Sequence, residues 1–162
     1  MLFRSRERRL GLPTELSGDN RVHALGVKTL NVTKTNVIEK GIGQVLLEYQ
    51  FKTALKKYFG NVRFDIILYS TPPITFTKVI KYAKKSNPNS MTYLLLKDIF
   101  PQNAVDLGMM QKNGIKGLLY KYFRNKEKQL YAVSDKIGCM SPANVDYVIA
   151  HNKEVSQIRP HR

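Results

Sequence analysis

The chain holds one cysteine, no tryptophan and three histidines among its 162 residues. Each scarcity removes a class of chemistry. A lone thiol, Cys139, closes no internal disulfide and cannot build a cysteine-based zinc site. His23, His151 and His161 lack metal-ligand spacing, so no metal is expected. Apolar runs fall well short of the ~18 residues that a spanning helix needs. There is no G-x-G-x-x-G and no G-K-[ST], which removes the dinucleotide fingerprint and the P-loop, and no bound cofactor is expected. No histidine stands near an expected strand end, so no Ser-His-Asp set can be assembled. The opening MLFRSRERRLGLP is charged and has no apolar core of a secretory signal, which points to a cytoplasmic protein.

Acidic residues are scarce too. Twelve Asp and Glu face 27 Lys and Arg, a formal charge of +15. No five like charges run together, so the excess is not a disordered basic tail. Between residues 71 and 100, Lys78, Lys81, Lys84, Lys85 and Lys97 meet only Asp98. Such a balance suits an anionic partner: nucleic acid, acidic lipid or a phosphorylated substrate. The plain alternative is a solvated, lysine-rich surface. Apolar residues make up 43% of the chain, enough for the core of one domain.

Periodicity orders the rest. Residues 1–21 carry Arg4, Arg6, Arg8 and Arg9, Pro13 and an S-G-D-N turn, and read as an irregular basic arm. VHALGVKTLNV, residues 22–32, is β-branched and apolar, as in a strand. A polar loop reaches about Lys40. From Ile42 to Phe59, Leu47, Phe51, Leu55 and Tyr58 recur at helical spacing, with Gly60 beyond the end. FDIILY (64–69) and MTYLLL (91–96) are continuous apolar runs, as in parallel strands buried on both faces. Between them, 74–85 reads as a helix with Phe76, Val79, Ile80 and Ala83 inward, and Lys78, Lys81 and Lys85 as an outer basic stripe. Helices are expected from Pro101 to about Met110 and from Ile115 to Val133, then a strand at 135–140. Ser141-Pro142 then opens a helix to about Ala150 as N-cap and first residue.

Alternation of this kind predicts an α/β fold: a Rossmann-like, mostly parallel sheet with helices on both faces. Its domain would cover residues 22–155, with 156–162 as a tail. Ligands of such sheets gather at the carboxyl ends of the strands. Thr71, Asp98 and Ser141 stand there. Asp98 follows directly on a buried strand and suits a base or a group that orients a hydroxyl. It would equally cap the next helix and neutralise Lys97. Ser141 has a ready structural role as N-cap. Cys139, inside a strand, reads as an inert core thiol. Lys121, Arg124 and Lys128 share one face of the 115–133 helix, interleaved with Tyr120, Tyr122 and Tyr131. That pattern suits the headgroups of an acidic membrane, a phosphate backbone or plain solvent.

Three segments, FDIILYSTPPITF, LLLKDIFPQNAVDLGM and LLYKYFRNKEKQLYAVSDKIGCMSPANVDYVI, together resemble bacterial family-4 glycosyltransferases of the GT-B fold that build capsule, O-antigen and colanic-acid polysaccharides. The resemblance spans about residues 26–155 and is specific over 64–150. It implies the acceptor-side, N-terminal half of a two-domain retaining enzyme that uses no catalytic metal. The nucleotide-sugar donor would be held by a C-terminal domain absent from this chain. The acceptor would be a lipid-linked saccharide, at the cytoplasmic face of an acidic membrane. On this resemblance Asp98 falls near a cleft-facing catalytic position, and Thr71, Gln102 and Asn103 on cleft-facing loops. Ser141 joins them as an acceptor-binding candidate.

Two departures stand out. Residues before 22 do not supply the family's first strand and glycine-containing loop, which would leave Val27 or Leu30 at a sheet edge. The chain also stops where a donor domain would begin. A single half is expected to be inactive, because catalysis needs both walls of the cleft. A basic nucleic-acid-binding α/β module is the alternative, disfavoured because no reading motif accompanies the charge. A partner subunit completing a separate donor domain is a third reading.

Overall fold

A computed structural model describes residues 13–15, 23–27, 37–153 and 155. The chain divides into two compact units, Met1–Val62 and Arg63–Arg162.

In the first unit, β1 (Pro13–Glu15) pairs antiparallel with β2 (His23–Leu25), Thr14 opposite Ala24. A strand thus lies within the stretch expected to be an irregular arm. The strand expected over 22–32 is seen only as His23–Leu25, in a two-stranded ribbon of its own. Leu30 and the tail 156–162 lie outside the described residues, and Val27 is half-buried. Helix α1 (Val37–Phe59) begins five residues before the expected Ile42, taking in Gly41 and Gly43.

The second unit is α/β, built on a small, open, all-parallel sheet. Its strands β3 (Ile66–Ser70), β4 (Met91–Leu96) and β5 (Lys136–Cys139) lie in the order β3-β4-β5. Ile67 pairs with Thr92 and Tyr69 with Leu94, while Leu94 meets Ile137 and Leu96 meets Cys139. The connections are α2 (Thr77–Ser86), then α3 (Gln102–Asp106) with α4 (Gly114–Ala132). α5 (Pro142–His151) follows β5.

Local chemistry sets most boundaries. β3 starts at Ile66 because Phe64 is held off the ladder, its N–H donating to Asn87 Oδ1 at 2.9 Å. α3 stops at Asp106, short of the expected Met110. Gly108 adopts φ +69°, its N–H donates to Val105 O, and Met109 N–H donates to Ala104 O at 2.8 Å. Those paired bonds are a glycine-terminated C-cap. α5 begins as expected: Ser141 Oγ accepts from Asn144 N–H at 3.2 Å, with Pro142 at the first position.

Side chains alternate across a strand, so the register sorts the sheet into two faces. One face carries Leu94, Leu96, Ile137 and Cys139, all buried. They pack with Phe123, Leu130 and Tyr131 of α4 and Val145 and Val148 of α5 into one core. α2 touches both β3 and α4, which places it on the same side. On the other face Ile66, Leu68 and Met91 are exposed, Ile66 at 61%. The described helices of this unit therefore gather on one face, where both faces were expected to be covered. The physical reason is the strand order. Two successive right-handed crossovers that step in the same direction leave their helices on the same side of the sheet.

Candidate functional site

The carboxyl edge of the sheet is formed by the segments after β3, β4 and β5. Thr71 is its hub. It is 1% exposed, and its Oγ accepts from the N–H groups of Lys97 at 3.1 Å and Asp98 at 3.3 Å. The hydroxyl in turn donates to Asp98 O at 3.4 Å, and Thr71 N–H donates to Leu95 O at 3.2 Å. A hydroxyl with one proton and two lone pairs is saturated by these partners. Thr71 therefore shapes the site and does not reach a ligand, which corrects its expected acceptor-binding role. Its work is to hold the turn that presents Asp98.

Asp98 is exposed, and among the described residues its carboxylate meets no donor. It does not cap α3, whose N-cap is Pro101 and which has no side-chain cap bond. Four residues on, α3 presents Gln102 and Asn103. Gln102 donates through Nε2 to Asp106 Oδ1 at 2.6 Å, one turn away. That bond orients the amide and commits its nitrogen. Its Oε1 is buried without a hydrogen-bond partner, and so is Asn103 Oδ1. Buried acceptors without a donor are uncommon and destabilising. Here two are adjacent in the chain. A third orphan, Thr77 Oγ, opens α2 at the same edge of the sheet. Sequence reasoning did not single it out, since a threonine at a helix start carries no distinguishing pattern.

Ser141 lies on the third segment, but its Oγ is occupied as the cap of α5. The structure thus brings Asp98, Gln102 and Asn103 together on one loop and short helix, with Thr71 beneath them. Ser141 serves the fold.

No family model, curated protein or solved structure matches the chain.

The basic groups divide more sharply. Lys78, Lys81 and Lys85 are all exposed on the outer face of α2, as are Lys121 and Lys128 on α4. Arg124 departs from the expected outward stripe. Its side chain is only 19% exposed and pairs with the buried Glu127 carboxylate. Its second nitrogen donates to His151 O at 2.8 Å and Asn152 Oδ1 at 2.7 Å. Burial raises the Glu127 pKa, against the opposing pull of the Tyr131 hydrogen bond and the Arg124 charge. Tyr131 OH donates to Glu127 Oε1 at 2.7 Å, and burial with the neighbouring carboxylate drives the phenol pKa up. Arg124 is an internal clamp between α4 and the end of α5.

A second polar cluster sits at the amino edge of the sheet. Thr92 N–H and Lys84 Nζ both donate to Asp135 Oδ2 at 2.8 Å, and Asp135 N–H donates to Thr92 Oγ at 2.8 Å. Desolvation pushes the Asp135 pKa upward, but these donors outweigh it and hold the carboxyl below its usual value. Tyr69 OH shares a 2.6 Å hydrogen bond with Ser134 Oγ. Burial pushes the phenol to about 12, with Ser134 opposing and the Asp135 charge assisting. These groups join strands to loops. Cys139 is buried and its thiol pKa is raised by desolvation, as an inert core thiol requires. Among the described residues no cluster of His, Cys, Asp and Glu is arranged to hold a metal ion. Nor is any described helix long and apolar enough to cross a membrane.

Proposed function

We propose that residues 63–155 form the acceptor-binding half of a GT-B sugar transferase that extends a polysaccharide precursor. The observation that carries this reading is the pair of buried, unpartnered side-chain oxygens on Gln102 and Asn103, on the segment that follows the exposed Asp98. All three groups accept hydrogen bonds, so the ligand they suit is rich in hydroxyl donors. A saccharide is such a ligand. Gln102 and Asn103, half-buried as residues, would turn their buried oxygens outward to take two of its hydroxyls. Asp98 would orient the nucleophilic hydroxyl or receive its proton.

The donor side of the reaction lies elsewhere. A nucleotide sugar would be bound by a separate C-terminal domain, and transfer would begin only when both halves enclose the two substrates. The exposed lysines Lys78, Lys81, Lys85, Lys121 and Lys128 suit an acidic membrane surface and the phosphates of a lipid-linked acceptor. This reading makes the protein peripheral at the cytoplasmic face of the membrane.

Saccharide binding tests it directly. Saturation-transfer NMR of the 162-residue chain with N-acetylglucosamine, glucose and galactose is expected to detect weak binding of at least one sugar. Asn103→Leu is expected to abolish that signal while stabilising the fold, because it removes an orphaned buried acceptor. A sugar signal that survives Asn103→Leu and Gln102→Leu, or no signal for any of the three sugars, would sink the assignment. Nucleotide-sugar-dependent transfer by the chain alone would overturn the division into two halves.

A further inference from the structure

The reactive chemistry outside this site is concentrated at one dipeptide. Asn113-Gly114 is the only asparagine-glycine pair in the chain, and both residues are exposed. Asn113 is the N-cap of α4 in extended geometry, φ −113° and ψ 165°. Yet its side chain makes no capping hydrogen bond. Asparagine normally caps by accepting from the second or third N–H of the helix. Here the carboxamide is left unengaged at a helix start. Gly114 adopts φ +65°, and a Cβ built on it would meet nothing within 4 Å. Its N–H is one of the first four of the helix and has no intrahelical acceptor.

We propose that Asn113 is a self-modification site that converts to aspartate and isoaspartate and so resets the start of α4. The Gly114 amide nitrogen attacks Asn113 Cγ. The new C–N bond closes a five-membered cyclic imide, and the side-chain nitrogen leaves as ammonia, taking the proton released by the attacking amide. Water then adds to one of the two imide carbonyls and breaks one C–N bond. Opening at the side-chain carbonyl gives aspartate. Opening at the backbone carbonyl gives isoaspartate, with one additional carbon in the main chain. The net change is amide plus water to carboxylate plus ammonium, with no redox partner.

The two products act in opposite directions. α4 has no acidic residue in its first turn. A carboxylate at its N-cap meets the positive end of the helix dipole and can accept the free N–H groups. The isoaspartyl backbone has no such fit. The Lys112 carbonyl lies so close to Gly117 that even a single added carbon on Gly117 would collide with it. A turn packed this tightly cannot absorb an extra main-chain carbon, so the first turn of α4 frays. The other described asparagines offer less. Asn87 and Asn152 are buried and hydrogen-bonded, and Asn103, Asn125 and Asn144 lie inside helices followed by larger residues. Asn61 and Asn89 are exposed outside helices, but Val62 and Ser90 follow them, and both put a side chain beside the attacking nitrogen where Gly114 has none.

Peptide mapping by mass spectrometry of the whole chain, aged at mildly alkaline pH, tests the chemistry. Asn113 is expected to gain the acid mass before any other asparagine, with an isoaspartyl product detectable by an isoaspartate methyltransferase. Asn113→Gln is expected to abolish the early conversion, and Gly114→Ala to slow it severalfold. Conversion that starts at a different asparagine, or persists unchanged in Gly114→Ala, overturns the assignment. Asn113→Asp tests the consequence without ageing. Its midpoint of thermal unfolding is expected to rise, and amide exchange in the first turn of α4 to slow. The isoaspartyl fraction is expected to exchange faster there. Equal exchange in all three forms would overturn the proposed resetting of the helix.

Discussion

Arg124 reaches from the middle of α4 to the end of α5, where its guanidinium donates to Asn152 Oδ1 at 2.7 Å and His151 O at 2.8 Å. The same group neutralises Glu127, itself 3% exposed and hydrogen-bonded by Tyr131. One side chain thus satisfies a buried carboxylate on its own helix and a carbonyl at the C-terminus of the next. Asn152 completes the joint by donating through Nδ2 to Val148 O at 2.9 Å.

Arg124→Ala is expected to destabilise the second unit by about 3–5 kcal/mol, the range seen when one partner of a buried ion pair is removed. Arg124→Lys is expected to recover only part, because an ammonium cannot present two nitrogens in one plane to three acceptors. Chemical denaturation followed by circular dichroism measures both. An outward-facing, membrane-binding arginine would show no stability loss on either change.

Thr71→Val is expected to cost about 1–3 kcal/mol, since it leaves the N–H groups of Lys97 and Asp98 without their acceptor in a partly buried turn. Thr71→Ser keeps the hydroxyl and is expected to lose less than Thr71→Val. If Asp98 acts as proposed, Thr71→Val also weakens saccharide binding without touching the sugar. Denaturation and saturation-transfer NMR on the same two variants separate these effects.

Two carboxylates set opposing acid responses. The Asp135 pKa is depressed in the folded state, so its contribution is present above its unfolded pKa and fades as pH falls through the folded one. The Glu127 pKa is raised from 4.5, so its contribution is complete below that ordinary value and is lost as pH rises through the folded pKa. Asp135→Asn is therefore expected to remove part of the loss of stability on acidification. Glu127→Gln is expected to flatten the pH dependence just above 4.5 while retaining a neutral partner for Tyr131. Unfolding midpoints measured across the acidic range check both slopes.

Gly117→Ala is expected to destabilise α4 by about 1–3 kcal/mol through overpacking, because a Cβ there collides with the rigid Lys112 carbonyl. Gly108→Ala is expected to be damaging for a different reason: space is open, but φ +69° is a left-handed conformation that L residues disfavour. Thermal unfolding of the two variants distinguishes them from substitutions at exposed Lys121, where no change is expected.

Much of the second unit was legible in the chain. MTYLLL forms β4 with the expected bounds, and Ser141-Pro142 caps and opens α5 as read. These features depend on local chemistry: a continuous apolar run long enough for a strand, a hydroxyl one residue before a proline. The basic stripe of α2 was equally plain, because helical spacing alone puts Lys78, Lys81 and Lys85 on one face. Arg124 was misread for the same reason in reverse. Spacing grouped it with Lys121 and Lys128, but whether a face meets solvent or another helix depends on how α4 packs, and α5 lies against it.

The site divides along the same line. Asp98 and the Gln102-Asn103 pair could be named from their place after an apolar strand and from resemblance. That Thr71 is saturated while the Gln102 and Asn103 oxygens are buried and unpaired could not, because it depends on which backbone groups cross from one strand end to the next. Most elements of the second unit and the surplus of positive charge can be read along the chain, because both are local or compositional. Long-range packing is what gathers the described helices of the second unit on one face of a three-stranded parallel sheet and leaves Ile66, Leu68 and Met91 exposed on the other. The physical reason is that strand order and the direction of each crossover are long-range choices, and no spacing along a single element records them.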